Sequence, residues 1–538
     1  MTLLISFVTS GLQVSRHYKY TRTRSQNQAV PNTFRGHTER ATPVAIATLL
    51  SWLACPGVFL LSIYILDVLA HNHKLRCLPP GPRSLPLIGS LHLLGDQPHR
   101  SLARLAKTYG PLMSLRLGTV TTVVVTSPEL AREFLHKNDA AFSARSVPDA
   151  TGEHAKNSIA WLPRSPQWSA LRRIMATELF APHRLSAHES LRRDMVADLV
   201  GYVGRQARAG AAVDVGRVVF TASLNLLSRT VFSRELASLD ADGGESTEFR
   251  SVTSEILEGL GKRNVSDFFP VMAWADLQGT RRRLAKLLER LHRVIDDEVD
   301  RRLRSREAGE PEKNDFLDAL LNDEKAGLDR DAIRSVITDI FLNSPYCSTA
   351  VEWIMVELLR NPLSMARATE ELAQILGTKR NIEEAEIGKL PYLQAVVKEA
   401  FRLHPPAPLL LPRQAETTIS VAGYTIPKGA RVLVNVWATG RDKEIWDEPE
   451  KFMPERFMES TINFKGGDFE LIPFGSGRRI CPGMPLASKM VHLILASLLN
   501  QFKWSLPAEV DANGIDMTEK FGVNLKKAEP LRAIATPI

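Results

Sequence analysis

The sequence predicts a mainly α-helical body with a small β lobe, set behind an N-terminal membrane segment. Three observations lead there. From about residue 127 to 400 the apolar residues recur almost throughout at three- and four-residue spacing, the period of helices with one buried face. Strand-type alternation is confined to short segments: Leu112 to Leu117 and Thr122 to Val125, with Gly118-Thr119 between them, and again within Ile419 to Val436. Val44 to Ala70 is a 27-residue apolar run interrupted only by Pro56 and Asp67, long enough to cross a bilayer with some tilt.

In order, residues 1–43 are rich in Ser, Thr and Arg and nearly free of acids, the composition of a transit peptide or of a disordered basic extension. They carry six Lys/Arg against one acid, Glu39, and so account for +5 of the net charge of +8. The body is therefore close to neutral, which argues against nucleic acid as a partner, because binding phosphates takes a concentrated basic face. Residues 44–70, with Trp52 and Tyr64, read as a single-pass anchor. Its orientation is not set by charge, since Arg24, Arg35 and Arg40 precede it and Lys74, Arg76 and Arg83 follow.

Residues 71–83 form a stiff linker: the prolines of Leu78-Pro79-Pro80-Gly81-Pro82 fix φ and favour extended polyproline geometry. Residues 84–538 form the body, and roughly 460 residues exceed what one ordinary core needs, so a large lobe with a small satellite is expected. Polar breaks at Asp240 to Glu248 and Arg306 to Asp315 divide the helical stretch, while Gly423 and Pro427-Lys428-Gly429 separate strands such as Arg431 to Val434. The four cysteines, Cys55, Cys77, Cys347 and Cys481, show neither CxxC spacing nor a disulfide framework, which fits a reducing, cytosol-facing body. Asn264-Val265-Ser266 is an N-glycosylation sequon expected to stay bare in that setting.

The chain is organised around Phe474-Gly475-Ser476-Gly477-Arg478-Arg479-Ile480-Cys481-Pro482-Gly483, which precedes an apolar helical run, Met484 to Phe502. Cys481 reads as the thiolate ligand of a haem iron, a ligand that favours O–O cleavage and survives only where it is shielded. Pro482 is suited to a first helical turn, which places Cys481 at the positive helix end and predicts a lowered thiol pKa. Gly477 and Gly483 remove side chains where a flat macrocycle approaches, and Arg479 offers a guanidinium to a haem propionate. A Cys-Pro-Gly turn alone fits a buried structural cysteine as well. The full spacing Phe-x-x-Gly-x-Arg-x-Cys-x-Gly is far more specific.

Two further constellations agree. Glu399 and Arg402 lie three apart on one helix face, and Arg456, within Pro454-Glu455-Arg456-Phe457, is placed to complete a charge network under the loop. Trp168 and Arg172 share a face, so that both reach towards a propionate. Each pattern alone would pass for an ordinary helix.

With these motifs in this order, the chain from about Lys74 to Ile538 resembles the plant microsomal cytochrome P450 monooxygenases. Pro148-Asp149-Ala150, Trp161-Leu162-Pro163, Asn264 to Pro270, Asp276-Leu277-Gln278-Gly279 and Thr518 to Gly522 resemble the terpenoid-hydroxylating group typified by geraniol hydroxylases. The resemblance implies a haem-thiolate fold with haem b as cofactor, held by Trp168, Arg172, Arg413, Phe474, Arg479, Cys481 and Gly483. It also implies oxidation of a small hydrophobic substrate with O2 and electrons from an NADPH-dependent reductase. The expected location is the endoplasmic reticulum membrane with the body in the cytosol, the plastid being the alternative.

One segment departs from the family pattern. Where members carry small-Gly-x-acid-Thr over the distal haem face, this chain reads Phe341-Leu342-Asn343-Ser344-Pro345-Tyr346-Cys347-Ser348-Thr349-Ala350-Val351. It is about one residue short, which would turn one half of a regular helix against the other by about 100°. Pro345 forbids regularity. Ser348 and Thr349 are the candidate substitute hydroxyls, with no acid evident beside them. Tyr346 and Cys347 are weak proton donors, with ordinary pKa values of about 10 and 8.5, so reducing equivalents are expected to leak to peroxide. Two alternative functions follow: a catalytically impaired haem-binding paralogue, and a reductase-independent hydroperoxide isomerase. The resemblance places Phe341, Leu409 and Phe521 in the substrate pocket, lined by mostly apolar or aromatic side chains from segments 143–161, 264–274, 341–345, 409–411 and 520–524.

Overall fold

Proline in the first turn and Ser or Asp at the cap start most of the long helices in the computed structural model, which describes residues 77–538 apart from 240–244, 324–326, 378 and 380. The long helices are α1 (Pro98–Tyr109), α2 (Pro166–Ile174), α3 (Glu189–Arg208), α4 (Val215–Phe232), α5 (Glu245–Gly261) and α6 (Thr280–Glu307), followed by α7 (Arg330–Phe341), α8 (Ser344–Arg360), α9 (Pro362–Leu376), α10 (Pro391–Leu403) and α11 (Met484–Gln501). Proline stands in the first turn of α1, α2, α8, α9, α10 and α11, where a missing N–H removes no helical bond. Ser165, Asp214 and Asp329 accept the N–H of Trp168, Arg217 and Ala332 at 3.1, 2.8 and 2.7 Å, capping α2, α4 and α7.

Two apolar cores share α4. One joins α3, α4, α8, α9, α10 and α11 around Leu199, Val219, Trp353, Val397 and Ile494. The other joins α2, α4, α5, α6 and α7 around Leu224, Ile256, Leu291, Ile337 and Phe341. The expected break at Pro345 is present: α7 ends at Phe341, Leu342 and Asn343 form the joint, and Pro345 is the second residue of α8.

The two β stretches expected as separate units are joined in one sheet through the last strand of the second, Arg431–Val434. Strands β1 (Leu112–Leu117), β2 (Val120–Val125), β3 (Ala144–Arg145), β5 (Arg413–Gln414) and β8 (Arg431–Val434) lie in the order β1-β2-β8-β5-β3. Val123 pairs with Val432 in the parallel β2–β8 ladder, a contact between remote segments that local alternation cannot reveal. Strands β6 (Ile419–Val421) and β7 (Tyr424–Ile426) form a hairpin turning at Ala422-Gly423, both with positive φ, the geometry that favours glycine in tight hairpins. Strands not anticipated from sequence, β4 (Val213–Asp214), β9 (Phe502–Ser505), β10 (Glu519–Lys520), β11 (Lys526–Lys527) and β12 (Arg532–Pro537), form the sheets β4-β12-β9 and β10-β11.

Residues 1–43, the apolar run 44–70 and the start of the 71–83 linker lie outside the described residues. No helix among the described residues is long and apolar enough to cross a membrane. The described part of the linker clips onto β1: Ser114 donates to the Pro80 carbonyl from its N–H at 2.8 Å and to the Pro79 carbonyl from its hydroxyl at 2.6 Å. A Cβ at Gly81 would meet the Ser114 carbonyl oxygen at 1.8 Å, so only glycine permits this approach. Asn264 is buried, so the fold itself shields the sequon once formed.

Glu519 ties α1 to β10. Its carboxylate accepts from Arg100 Nη2 at 2.7 Å and Nε at 2.9 Å, from Trp437 Nε1 at 3.3 Å, and meets His99 Nε2 at 3.1 Å. Burial alone would raise the Glu519 pKa, but the bonds from His99 and Arg100 overcome it and hold the group at about 2. Burial lowers the His99 pKa against the pull of Glu519. In both cases the unfolded chain binds the proton more readily than the folded one, so stability is lost as pH falls. A free Glu titrates near 4.3, so Glu519 contributes roughly 3 kcal/mol at neutral pH, lost between about pH 5 and 2. Glu519→Gln is therefore expected to lower the urea midpoint at pH 7 and to flatten its fall on acidification. An unchanged acid dependence in the variant would contradict this assignment.

Candidate active site

The Phe474–Gly483 loop is shaped by two glycines with positive φ. Gly475 lies at 74° and Gly477 at 68°, and a Cβ on Gly477 would meet the Leu135 carbonyl oxygen at 2.1 Å. The close approach that Gly477 permits is thus to protein backbone, not to a cofactor. The Cys481 N–H donates to the Phe474 carbonyl at 3.0 Å, closing the loop, and α11 begins at Met484 with Gly483 as its cap. The proline of its first turn is Pro485; Pro482 lies in the turn ahead.

Cys481 lines an interior cavity together with Phe474, Gly483, Trp168, Arg172, Arg413 and Arg479. The expected lowering of its pKa is not the net result. Burial pushes the thiol up, while the N–H groups of Gly483 and Met484 and the charge of Arg172 pull it down. A thiol in that position becomes a thiolate when a metal ion binds it, because coordination itself displaces the proton.

Arginines crowd one edge of the cavity: Arg145, Arg172, Arg413 and Arg479 all line it. Their bonds run mainly to backbone carbonyls. Arg479 donates to Ser143 at 2.8 Å and Leu162 at 2.6 Å, Arg172 to Ile480 at 2.9 Å, and Arg145 to Ala160 at 3.2 Å and Leu411 at 2.8 Å. Only Arg413 meets a carboxylate, Asp139 at 3.2 Å, and it also donates to Ser476 at 2.9 Å. Burial, then the neighbouring arginines, pushes Arg479 down to about 10 and Arg145 well below its ordinary value.

Arg145 and Arg413 are direct register partners on β3 and β5. Like charges placed opposite in a ladder repel, and buried charge without a counter-charge is costly. The donor set therefore calls for an anion with more than one acidic group, and haem propionates fit it, above a cysteine that fits its iron. Trp168 contributes differently from expectation: its indole N–H is taken by the Ile159 carbonyl at 3.2 Å, and its ring lies under the Arg479 guanidinium at 4.4 Å. Arg145 was missed in the sequence because its meaning depends on the β3–β5 pairing.

The charge network is as expected. Glu399 and Arg402, both fully buried, form a bidentate pair at 2.7 and 2.7 Å, and Arg456 joins Glu399 at 3.0 Å. Arg402 also donates to the carbonyls of Pro449 at 2.6 Å and Lys451 at 2.9 Å and to that of Gly440. The neighbouring Phe401 packs edge-on against Phe474 at 5.6 Å, which couples this network to the cysteine loop.

The helix joint contributes Asn343, Ser344, Tyr346 and Cys347 to the lining. Ser348 and Thr349 do not line the cavity. Both are buried, with Ser348 donating to the Pro345 carbonyl at 3.0 Å and Thr349 accepting from Asn524 at 2.8 Å. The broken helix turns the hydroxyls away, so they do not substitute for the family's alcohol. Burial raises the Tyr346 phenol above its ordinary range, with a further push from Cys481, and takes the Cys347 thiol to about 11 against the Ser223 bond. An acid does line the cavity: Asp339, on the last turn of α7. It accepts from Ile159 N–H at 2.7 Å and Ser158 at 2.9 Å, and meets His154 Nε2 at 3.1 Å. Sequence reading passed over it because it precedes the altered segment.

The pocket assignments also shift. Phe341 is fully buried against Phe232 and Phe249 at 5.7 and 5.5 Å, Leu409 packs into the core beneath β1, and Phe521 stacks on His99 at 5.4 Å. Their neighbours line the cavity instead: Ile340 and Leu342, Leu410 and Leu411, and Val523, with Trp161, Leu226, Leu257 and Leu260. The segment 264–274 does not reach it.

This pairing of a glycine-bounded cysteine loop with an arginine-edged cavity, in a mainly helical body, defines a haem-thiolate protein. Residues 79–531 match the Cytochrome P450 family, and the chain belongs to it. It is 46% identical over 473 residues to geraniol 8-hydroxylases of Swertia mussotii and Catharanthus roseus, covering 87% of this chain and 95% of each relative. It is 43% identical over 475 residues to a geranylhydroquinone 3''-hydroxylase of Arnebia euchroma, covering 87% and 96%. The protein is thus a monooxygenase of the P450 family, whose cofactor is haem b. These likenesses support neither the impaired-paralogue nor the isomerase alternative. Cys481→Ser is expected to remove the thiolate signature from the reduced, CO-treated spectrum, because a hydroxyl is a far weaker donor. An unchanged Soret band would show that another residue is the ligand.

Proposed function

We propose that this chain hydroxylates a small terpenoid-type substrate, using dioxygen and electrons passed from NADPH by a cytochrome P450 reductase. The observation that carries the reading is the largely apolar lining of the Cys481 cavity away from its arginines, formed by Leu226, Leu257, Leu260, Ile340, Leu342 and Val523 and interrupted by Ser223, Asp339 and the helix joint. Such a surface suits a hydrocarbon ligand with few polar groups. The relatives named for geraniol and geranylhydroquinone support the terpenoid class. Haem, when bound, supplies the oxygen chemistry; Cys481 would hold its iron, and Arg145, Arg172, Arg413 and Arg479 its carboxylates. The rest falls to the protein: orienting the substrate, excluding bulk water and delivering protons.

In this proposal the body faces the cytosol at the endoplasmic reticulum membrane, behind the anchor read at residues 44–70. A cluster of exposed apolar side chains supports membrane contact. Val271 and Trp274 are 85% and 84% exposed, and Leu277, Leu87 and Leu85 are exposed as well. The two groups meet at the β1–β2 turn, where the Gly118 N–H bonds the Ile88 carbonyl at 3.1 Å and the Thr119 N–H the Phe268 carbonyl at 2.9 Å. An exposed apolar patch of this kind lowers its free energy by entering a membrane interface.

The test is turnover of geraniol and related prenyl alcohols by full-length protein with reductase and NADPH under labelled dioxygen. One labelled oxygen atom is expected in a hydroxylated product. Haem-loaded, reducible protein that converts no member of a prenyl-alcohol and prenyl-phenol panel would overturn the substrate class.

A further inference from the structure

A second concavity opens between residues 147–154 and α6, and His154 and His292 both line it. It is separate from the haem cavity, yet the two are joined through one contact: His154 Nε2 meets Asp339 Oδ1 at 3.1 Å, and Asp339 lines the haem cavity. His154 itself is only 8% exposed. Its ring faces that of His292 with centroids 6.1 Å apart. The two rings present buried nitrogens with no partner among the described residues, Nδ1 of His154 and Nε2 of His292. A buried nitrogen left unbonded is destabilising, and a polar gap with several available partners is where proteins hold an ordered water.

We propose that His292, His154 and Asp339 form the path by which protons enter the haem cavity from the surface groove, with one water bridging the two imidazoles. The proposal rests on the monooxygenase reading, since hydroxylation of a C–H bond takes dioxygen, a pair of electrons and a pair of protons and releases one oxygen atom as water. The electrons come from the reductase. Each proton that the Asp339 carboxyl passes to water in the cavity is replaced from behind: the carboxylate takes the proton of His154 Nε2, Nδ1 takes one from the bridging water, and that water is resupplied through His292 from the groove. A neutral imidazole passes a proton by accepting at one nitrogen while donating from the other.

The surroundings keep His292 neutral. Burial, then His154 and Arg334, lower its pKa to about 4, against the opposing charges of Asp296 and Asp331. At neutral pH it is therefore uncharged, the state a relay needs if it is to pass protons without holding one. The path also answers the altered helix joint, because Asp339 stands on the last turn of α7, ahead of the break, and its place does not depend on the missing acid–alcohol pair.

The readout independent of turnover is a crystal structure of the haem-loaded protein fine enough to show waters. A water hydrogen-bonded to both His154 Nδ1 and His292 Nε2 is expected, and a dry gap would overturn the proposal. The kinetic readout is product formed per NADPH oxidised. His292→Leu, far from haem and substrate, is expected to lower it roughly tenfold in favour of peroxide, the low side of what a positioned acid or base supplies. Asp339→Asn is expected to do the same, while Glu289→Gln, exposed on the same groove and off the path, leaves it unchanged. Unaltered coupling in His292→Leu with an intact thiolate spectrum would overturn the path, and this variant decides the matter if Asp339→Asn does not fold. Wild-type protein that forms no product from any substrate would instead refute the proposed hydroxylation, and the bridging water would then decide the path alone.

Discussion

The arrangement on which the rest of this structure depends is a set of four guanidinium groups, from the buried Arg413 and Arg479 and the half-buried Arg145 and Arg172, held around one edge of a cavity with a single carboxylate among them. Arg145 and Arg413 face each other across a ladder, Arg479 lies over Trp168, and Arg172 reaches the loop that carries Cys481. Proteins rarely bury like charges without a counter-charge, since the desolvation of each is repaid only by an opposite partner. Backbone carbonyls of the 143–162 segment and of the cysteine loop hold these side chains in place, but carbonyl dipoles do not neutralise them. An anionic cofactor does. The cavity, its arginine edge and the loop that carries Cys481 make sense together as the seat of one flat, dianionic, iron-bearing group.

A second constraint is the helix joint. α7 ends at Phe341, Leu342 and Asn343 form a turn, and the chain restarts as α8 at Ser344 with Pro345 in its first turn. Ser348 and Thr349 consequently bond to backbone and to Asn524, while Tyr346 and Cys347, both weak acids, face the cavity. The expected leak of reducing equivalents presumed that no acid stands at the cavity. Asp339 removes that presumption, and it does so from the last turn of α7, ahead of the joint.

Much of this was legible in the sequence, and the limit is physical. Local signals carried the helical class, the joint at Pro345, the cysteine loop and the Glu399–Arg402–Arg456 network, because each depends on residues close in sequence or on strong spacing. What failed depended on direction or on remote pairing. Phe341, Leu409 and Phe521 are one or two positions from residues that do line the cavity, an error that backbone phase alone decides. Arg145 acquires its role from β5, hundreds of residues away. The Cys481 thiol was expected to be lowered by the helix end, but burial outweighs the amide bonds that support it.

The most direct measurement is reconstitution of the apoprotein with haem and, in parallel, with haem whose two carboxylates are esterified. If the arginine edge exists to neutralise those carboxylates, native haem should bind far more tightly and restore the thiolate spectrum at lower concentration than the diester. Equal affinity for the two would contradict the account, because it would mean that Arg145, Arg172, Arg413 and Arg479 are held in the cavity wall for some purpose other than the cofactor's charge.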